Sequence, residues 1–115
     1  MQNDQLQTMT CKIIGASITC LNSRIVVQQA LREVAWRAGL SAVRSVSHDF
    51  VPNGIGVALL LPEAHVAART WPETGRAYVT MTTCQPISAE TVTRLERVLG
   101  AAFAAERVET GVVNL

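Results

Sequence analysis

Between positions 63 and 84 the chain carries side chains with which proteins move protons and hold negative charge: Glu63, His65, Arg69 and Cys84. The first three share one stretch, Pro62-Glu63-Ala64-His65-Val66-Ala67-Ala68-Arg69-Thr70-Trp71-Pro72-Glu73. A carboxylate, an imidazole and a thiol are groups of general acid and base catalysis, and a guanidinium is a fixed cation suited to oxyanions. His48 supplies a second imidazole. Phe50, Trp71 and Glu73 offer two aromatic walls and one acid, a combination that suits a flat heteroaromatic ligand. Each also has a plainer reading. The aromatics could be core, the histidines could hold a turn or loop, Arg69 could face solvent or pair with Glu63 or Glu73, and Cys84 could be a small buried hydrophobe. If Arg69 and Cys84 are close, the cation would lower the thiol pKa. In the middle of the stretch stands Ala64, which has a methyl group and no chemistry.

The elements around these residues must position them. After a polar, flexible tail over residues 1–10, the β-branched run from Lys12 to Thr19 predicts a strand. Asn22 or Ser23 then offers an N-cap, and Val26, Val27, Ala30, Leu31, Val34 and Ala35 recur at helical spacing up to Gly39. Strands are expected over 41–48 and over the apolar run 55–61, with turn residues Val51-Pro52-Asn53-Gly54 between them. From Arg76 to Cys84 the alternation places Tyr78, Thr80, Thr82 and Cys84 on one face of a strand, so that Cys84 ends the strand on its more polar side. Ser88 caps a second helix with a stripe of Val92, Leu95, Val98, Leu99, Ala102 and Phe103, and a last strand runs over 107–113. Two helices with one apolar side each predict an α/β (α+β) sandwich: a mostly antiparallel sheet with both helices on one face. The other face needs a cover, and a second copy of so short a chain is the economical one, so a homodimer is expected.

Composition narrows the function classes. At 115 residues the chain suits a single domain, residues 1–115, and a formal charge of +1 lacks the basic excess of a nucleic-acid binder. The apolar run at 57–62 is too short to cross a bilayer, and residues 1–10 lack the pattern of a signal peptide. No membrane partner and a cytoplasmic location are therefore expected. Three cysteines without CxxC spacing argue against zinc and against a disulfide framework.

Three local patterns resemble the bacterial S-adenosylmethionine decarboxylases, small pyruvoyl-dependent enzymes. His48-Asp49-Phe50-Val51-Pro52-Asn53-Gly54 is similar to that family's H-x-F-x-P-x-G turn. Glu63-Ala64-His65 followed by Thr70-Trp71-Pro72-Glu73 is similar to its E-S-H-x-x-x-H-T-W-P-E, and Thr83-Cys84 to its T-C. The resemblance implies sheets that face one another across a dimer, with the active site near the interface. It also implies that Phe50, Trp71 and Glu73 bind the nucleoside part of a substrate and that Cys84 donates a proton to the substrate carbanion.

In that family the chain cuts itself before a serine, which becomes the pyruvoyl group that acts as electron sink. Ala64 stands at the serine's place, so no pyruvoyl can form and no cofactor is expected. A Ser→Ala change alone could be an engineered trap for an uncleaved precursor. Two further departures, Arg69 for a histidine and Gly56 for a serine, point to a natural loss of the processing set. Arg69 would also oppose a cationic sulfonium: at an effective dielectric of 20, like charges about 5 Å apart cost about 3 kcal/mol. Two functions are consistent with this inventory. One is a repurposed enzyme of proton-transfer type (lyase, isomerase or cyclase) acting on a small, anionic molecule, with Cys84, Arg69, His65 and Glu63 as candidate catalytic residues. The other is a noncatalytic nucleoside-binding protein or regulatory partner of an active decarboxylase.

Overall fold

A computed structural model describes residues 5–42 and 44–115. Its first strand, β1, spans Gln7–Ile14, five residues earlier than the β-branched run suggests. The register is set by alternation. Met9, Cys11 and Ile13 are fully buried while Thr8, Thr10 and Lys12 point the other way, so residues of the expected polar tail already belong to the sheet. Ser17 caps a short helix, α1 (Ile18–Leu21), where a strand was expected. Ser23, whose hydroxyl accepts from the Val26 amide, caps α2 (Arg24–Arg37).

The chain then crosses to the far edge of the sheet for β2 (Arg44–Asp49) and returns through β3 (Ile55–Leu61), β4 (Ala64–Trp71) and β5 (Arg76–Thr83). A short 3-10 turn, Pro72–Thr74, joins the last two. Ser88 caps α3 (Ala89–Ala102), and β6 (Arg107–Asn114) ends the fold. The strand order is β2-β3-β4-β5-β1-β6, antiparallel throughout.

β4 is a strand that period-based reading missed. Val66, Ala68 and Thr70 are buried and His65, Arg69 and Trp71 exposed, but the small Ala67 and Ala68 blur that alternation in the sequence. Helices α2 and α3 pack together on one face, where Leu31, Val34, Leu95, Leu99 and Phe103 meet Met9, Leu59, Val66, Val79 and Met81 in one buried cluster. The expected α+β sandwich with its helices on one side is what forms. Among the described residues the opposite sheet face carries no helix and leaves Val46 (68%), Leu60 (58%), Tyr78 (43%) and Val113 (51%) exposed.

Candidate functional site

β4 carries Ala64, His65, Arg69 and Trp71 and decides where they point. The pleat sends His65, Ala67, Arg69 and Trp71 to the open face, while Ala64, Val66, Ala68 and Thr70 face the helices. Ala64 opens the strand, paired with Leu61 on one side and Thr83 on the other. Arg69 lies five residues further on, which at a strand rise of about 3.3 Å per residue is roughly 17 Å away. The sequence places these groups in one motif; the strand draws them out into two clusters.

The first cluster lies at the start of β4. Cys84 follows the last residue of β5 and is 5% exposed, so it does not stand on an open polar face as alternation suggests. Its Sγ lies 3.6 Å from both the main-chain oxygen and Oε2 of Glu63, and the thiol donates to either. Burial pushes the Cys84 pKa up, and the negative charge of Glu63 and the hydrogen bond to it push in the same direction. Arg69 is too distant to lower it, so the thiol is held in its protonated form. Beside this pair a cleft of about 710 Å³ opens among Leu40, Pro62, Glu63, Thr83 and Gln85. His65 is exposed, next to Ala64 in sequence but on the other face of the sheet, in register with Leu60 and Thr82.

The second cluster lies at the end of β4. The Arg69 Cζ stands 3.6 Å from the centre of the Phe50 ring and 5.6 Å from that of Trp71. His48 meets the same Phe50 ring edge-on, with centroids 4.7 Å apart. Among the described residues no carboxylate lies within ion-pair distance of Arg69, so the alternative of a pairing with Glu63 or Glu73 does not occur. Glu73 is exposed in the turn after β4. Trp71 is 39% exposed and Phe50 half-buried, so neither belongs to the core.

Gly56 lets this stack lie close against the sheet. A Cβ there would come within 3.0 Å of Phe50 Cε2 and 4.0 Å of Arg69 Cδ, so the bare backbone is the floor on which the ring lies. The turn that delivers Phe50 is fixed by its amide donating to the Gly54 carbonyl at 2.8 Å, and the Gly54 amide donates to Asn22 Oδ1 at 3.1 Å.

Thr70 is the residue that sequence reasoning passed over. It is 1% exposed, and its hydroxyl accepts from the Ile55 amide at 2.8 Å and donates to the Leu21 carbonyl at 2.7 Å. It thereby ties the end of β4 to β3 and to α1. A lone threonine between Arg69 and Trp71 gives no sign of this, because both partners are main-chain groups distant in sequence. A larger groove of about 850 Å³ between α2 and α3, among residues such as Glu33, Arg37 and Arg97, includes none of these side chains. Among the described residues no three His, Cys, Asp or Glu side chains converge as a metal site, and no helix is long and apolar enough to cross a membrane.

The sequence model of S-adenosylmethionine decarboxylase matches residues 7–114, from the start of β1 to the end of β6. The chain belongs to the S-adenosylmethionine decarboxylase family. It is 34% identical over 73 residues to the S-adenosylmethionine decarboxylase proenzyme of Acetivibrio thermocellus, a match covering 64% of this chain and 59% of that relative. It is 34% identical over 83 residues to the proenzyme of Prochlorococcus marinus, covering 70% and 66%. The match therefore spans about three fifths to two thirds of these relatives. The crystal structure of the adenosylmethionine decarboxylase from Aquifex aeolicus superimposes with a TM-score of 0.78 at 21% identity, over 98% of this chain and 91% of that one. The Trypanosoma brucei AdoMetDC monomer gives 0.62 at 15% identity, over 97% of this chain and 46% of that one. Both share the fold of this family member.

Proposed function

We propose that this family member does not process itself and makes no pyruvoyl group, and that its inherited cavity now serves a small molecule through proton transfer. The observation that carries the first half is Ala64. Pyruvoyl formation needs a side-chain oxygen to attack the preceding carbonyl and then leave, and a methyl group can do neither. The relatives are named proenzymes, a word for chains that are matured; by the motif resemblance, Ala64 stands where that step needs a serine oxygen. Gly56 and Arg69 support a loss of the whole set, because they build an interlocking stack with Phe50 that a serine at 56 would crowd.

The second half rests on the chemistry that remains. Cys84 keeps its proton near neutral pH and holds it against Glu63, so the pair can give a proton to a carbanion or enolate and accept one in return. Arg69 can steady developing negative charge, and His65 and His48 can relay protons on the open face. The two clusters are about 17 Å apart within one chain, beyond the reach of one small substrate. The exposed apolar side chains of the open face support a homodimer in which the Cys84 end of one copy meets the Arg69 end of the other. A lyase, isomerase or cyclase reaction on an anionic molecule fits this inventory.

A noncatalytic nucleoside-binding or regulatory role is the second reading, supported by the aromatic faces of Phe50 and Trp71. The Arg69 guanidinium, 3.6 Å above Phe50, counts against it, since a base could stack there only by displacing the arginine. Intact mass of the native gene product tests the first half: one uncut chain is expected, and two fragments, one blocked by a keto acid, would refute it. Screening metabolites for turnover that vanishes in Cys84→Ala tests the second. Stabilisation by S-adenosylmethionine alone, with no turnover of any metabolite, would favour the nucleoside reading.

A further inference from the structure

The open face carries a row that runs straight across all six strands, with a polar side chain on every strand but β3, where Gly56 stands. The register aligns His48 with Gly56, Gly56 with Arg69, Arg69 with Tyr78, Tyr78 with Lys12, and Lys12 with Glu109. Neighbouring strands are about 4.8 Å apart, so Tyr78 stands beside Arg69 while His48 and Lys12 lie about 10 Å to either side of it. The next row on the same face, towards the β4–β5 turn, adds Arg76, opposite Trp71. Lys12 and Arg107 both pair with Glu109, at 3.8 and 3.1 Å, whereas Arg69 and Arg76 have no carboxylate within ion-pair distance among the described residues. Four cations against Glu109 and the exposed Glu73 concentrate positive charge here, on a chain whose formal charge is only +1.

The stack fixes how Arg69 can act. With Cζ 3.6 Å from the Phe50 ring centre, the guanidinium plane must lie nearly parallel to the ring, because a nitrogen pointed at the ring would be driven into it. The aromatic contact therefore uses the flat face of the guanidinium and leaves its in-plane N–H edge for a forked contact to two oxygens. The alanines Ala58 and Ala67, with Thr80, form the next row of the sheet and leave low ground beside it.

We propose that Arg69, with Tyr78 and Arg76 beside it, is an oxyanion site that recognises a carboxylate or phosphate group, and that Phe50 and Gly56 hold the arginine in place for that purpose. This rests on the small-molecule reading above and names its ligand class. It also assigns Gly56 a positioning function.

The test is titration of the Trp36→Phe protein, which leaves Trp71 as the sole tryptophan, with inorganic phosphate and separately with malonate at low ionic strength, following Trp71 fluorescence. Saturable binding by at least one anion is expected, weakened about tenfold or more in Arg69→Met and changed less than about twofold in Arg94→Met on α3. Tighter binding of phosphate assigns a phosphoryl ligand, and tighter binding of malonate a carboxylate. Circular dichroism checks that Arg69→Met is folded, and Arg69→Lys, which keeps charge but not the fork, should fall between the two. No saturable response to either anion up to about 10 mM, or equal affinity in Arg69→Met, overturns the proposal. Failure here leaves the intact-mass and Cys84→Ala results standing, and failure of those leaves anion binding standing.

Discussion

Removing the Thr70 hydroxyl should cost more than removing its methyl group. In Thr70→Val the shape is conserved, but the Ile55 amide loses its acceptor at 2.8 Å and the Leu21 carbonyl loses its donor at 2.7 Å, both inside the core. A buried polar group left without a partner costs about 1–3 kcal/mol, and the slight gain from an added methyl group offsets only part of it, so a loss of roughly 2–4 kcal/mol is expected. Thr70→Ser keeps both hydrogen bonds and gives up one methyl group, about 1 kcal/mol. Urea unfolding provides the assay. With an m-value of about 1–3 kcal/mol per molar, Thr70→Val should lower the midpoint by roughly 1–2 M and Thr70→Ser by less than half of that. The order of the two variants is decisive: if the valine protein is as stable as the serine protein, the hydroxyl does not hold β4 to β3 and α1, and the account of how Arg69 and Trp71 are positioned fails with it.

Other consequences follow from the same geometry. In Glu63→Gln the negative charge beside Cys84 disappears, so the thiol pKa should fall towards the ordinary range and iodoacetamide should label Cys84 faster at pH 8; peptide mapping that shows slower labelling would contradict the pairing. Burial, aided by the charge of Glu96, pushes Cys11 up to about 12, above the unfolded value of about 8.5. Its contribution is then fully present below about pH 8.5 and lost as the pH rises towards 12. Relative to Cys11→Ala, the native protein should lose about 3 kcal/mol between pH 8.5 and 11, and equal slopes for the two in urea unfolding would refute this. Gly56→Ser should displace Phe50 and open the stack, costing about 1–2 kcal/mol and shifting Trp71 emission, whereas a crystal structure with Phe50 and Arg69 unmoved would remove the reason given for the glycine.

Much of this was legible from pattern. The helices α2 and α3 with their serine caps, the apolar strand β3, the one-sided packing and the family all follow from spacing and residue type, because these depend on neighbours a few positions away. So does the absence of an oxygen at Ala64, a property of one side chain. The N-terminal strand was misplaced because threonine and glutamine look like a tail until their alternation with Met9, Cys11 and Ile13 is matched against β5 and β6.

Tertiary structure alone decided the site. Glu63, Ala64, His65 and Arg69 fall within seven residues of sequence, yet an extended backbone spreads them over two clusters and the pleat divides them between two faces. Arg69 could not be assigned to Phe50 rather than to an acid, since that contact depends on β2, β3 and β4 lying side by side with a glycine between the two side chains. Cys84 likewise found Glu63 instead of a cation, because the end of β5 lies against the β3–β4 turn and not against the far end of β4. Residue types set which reactions were open to this chain, and strand register, which no local pattern encodes, set which groups could meet.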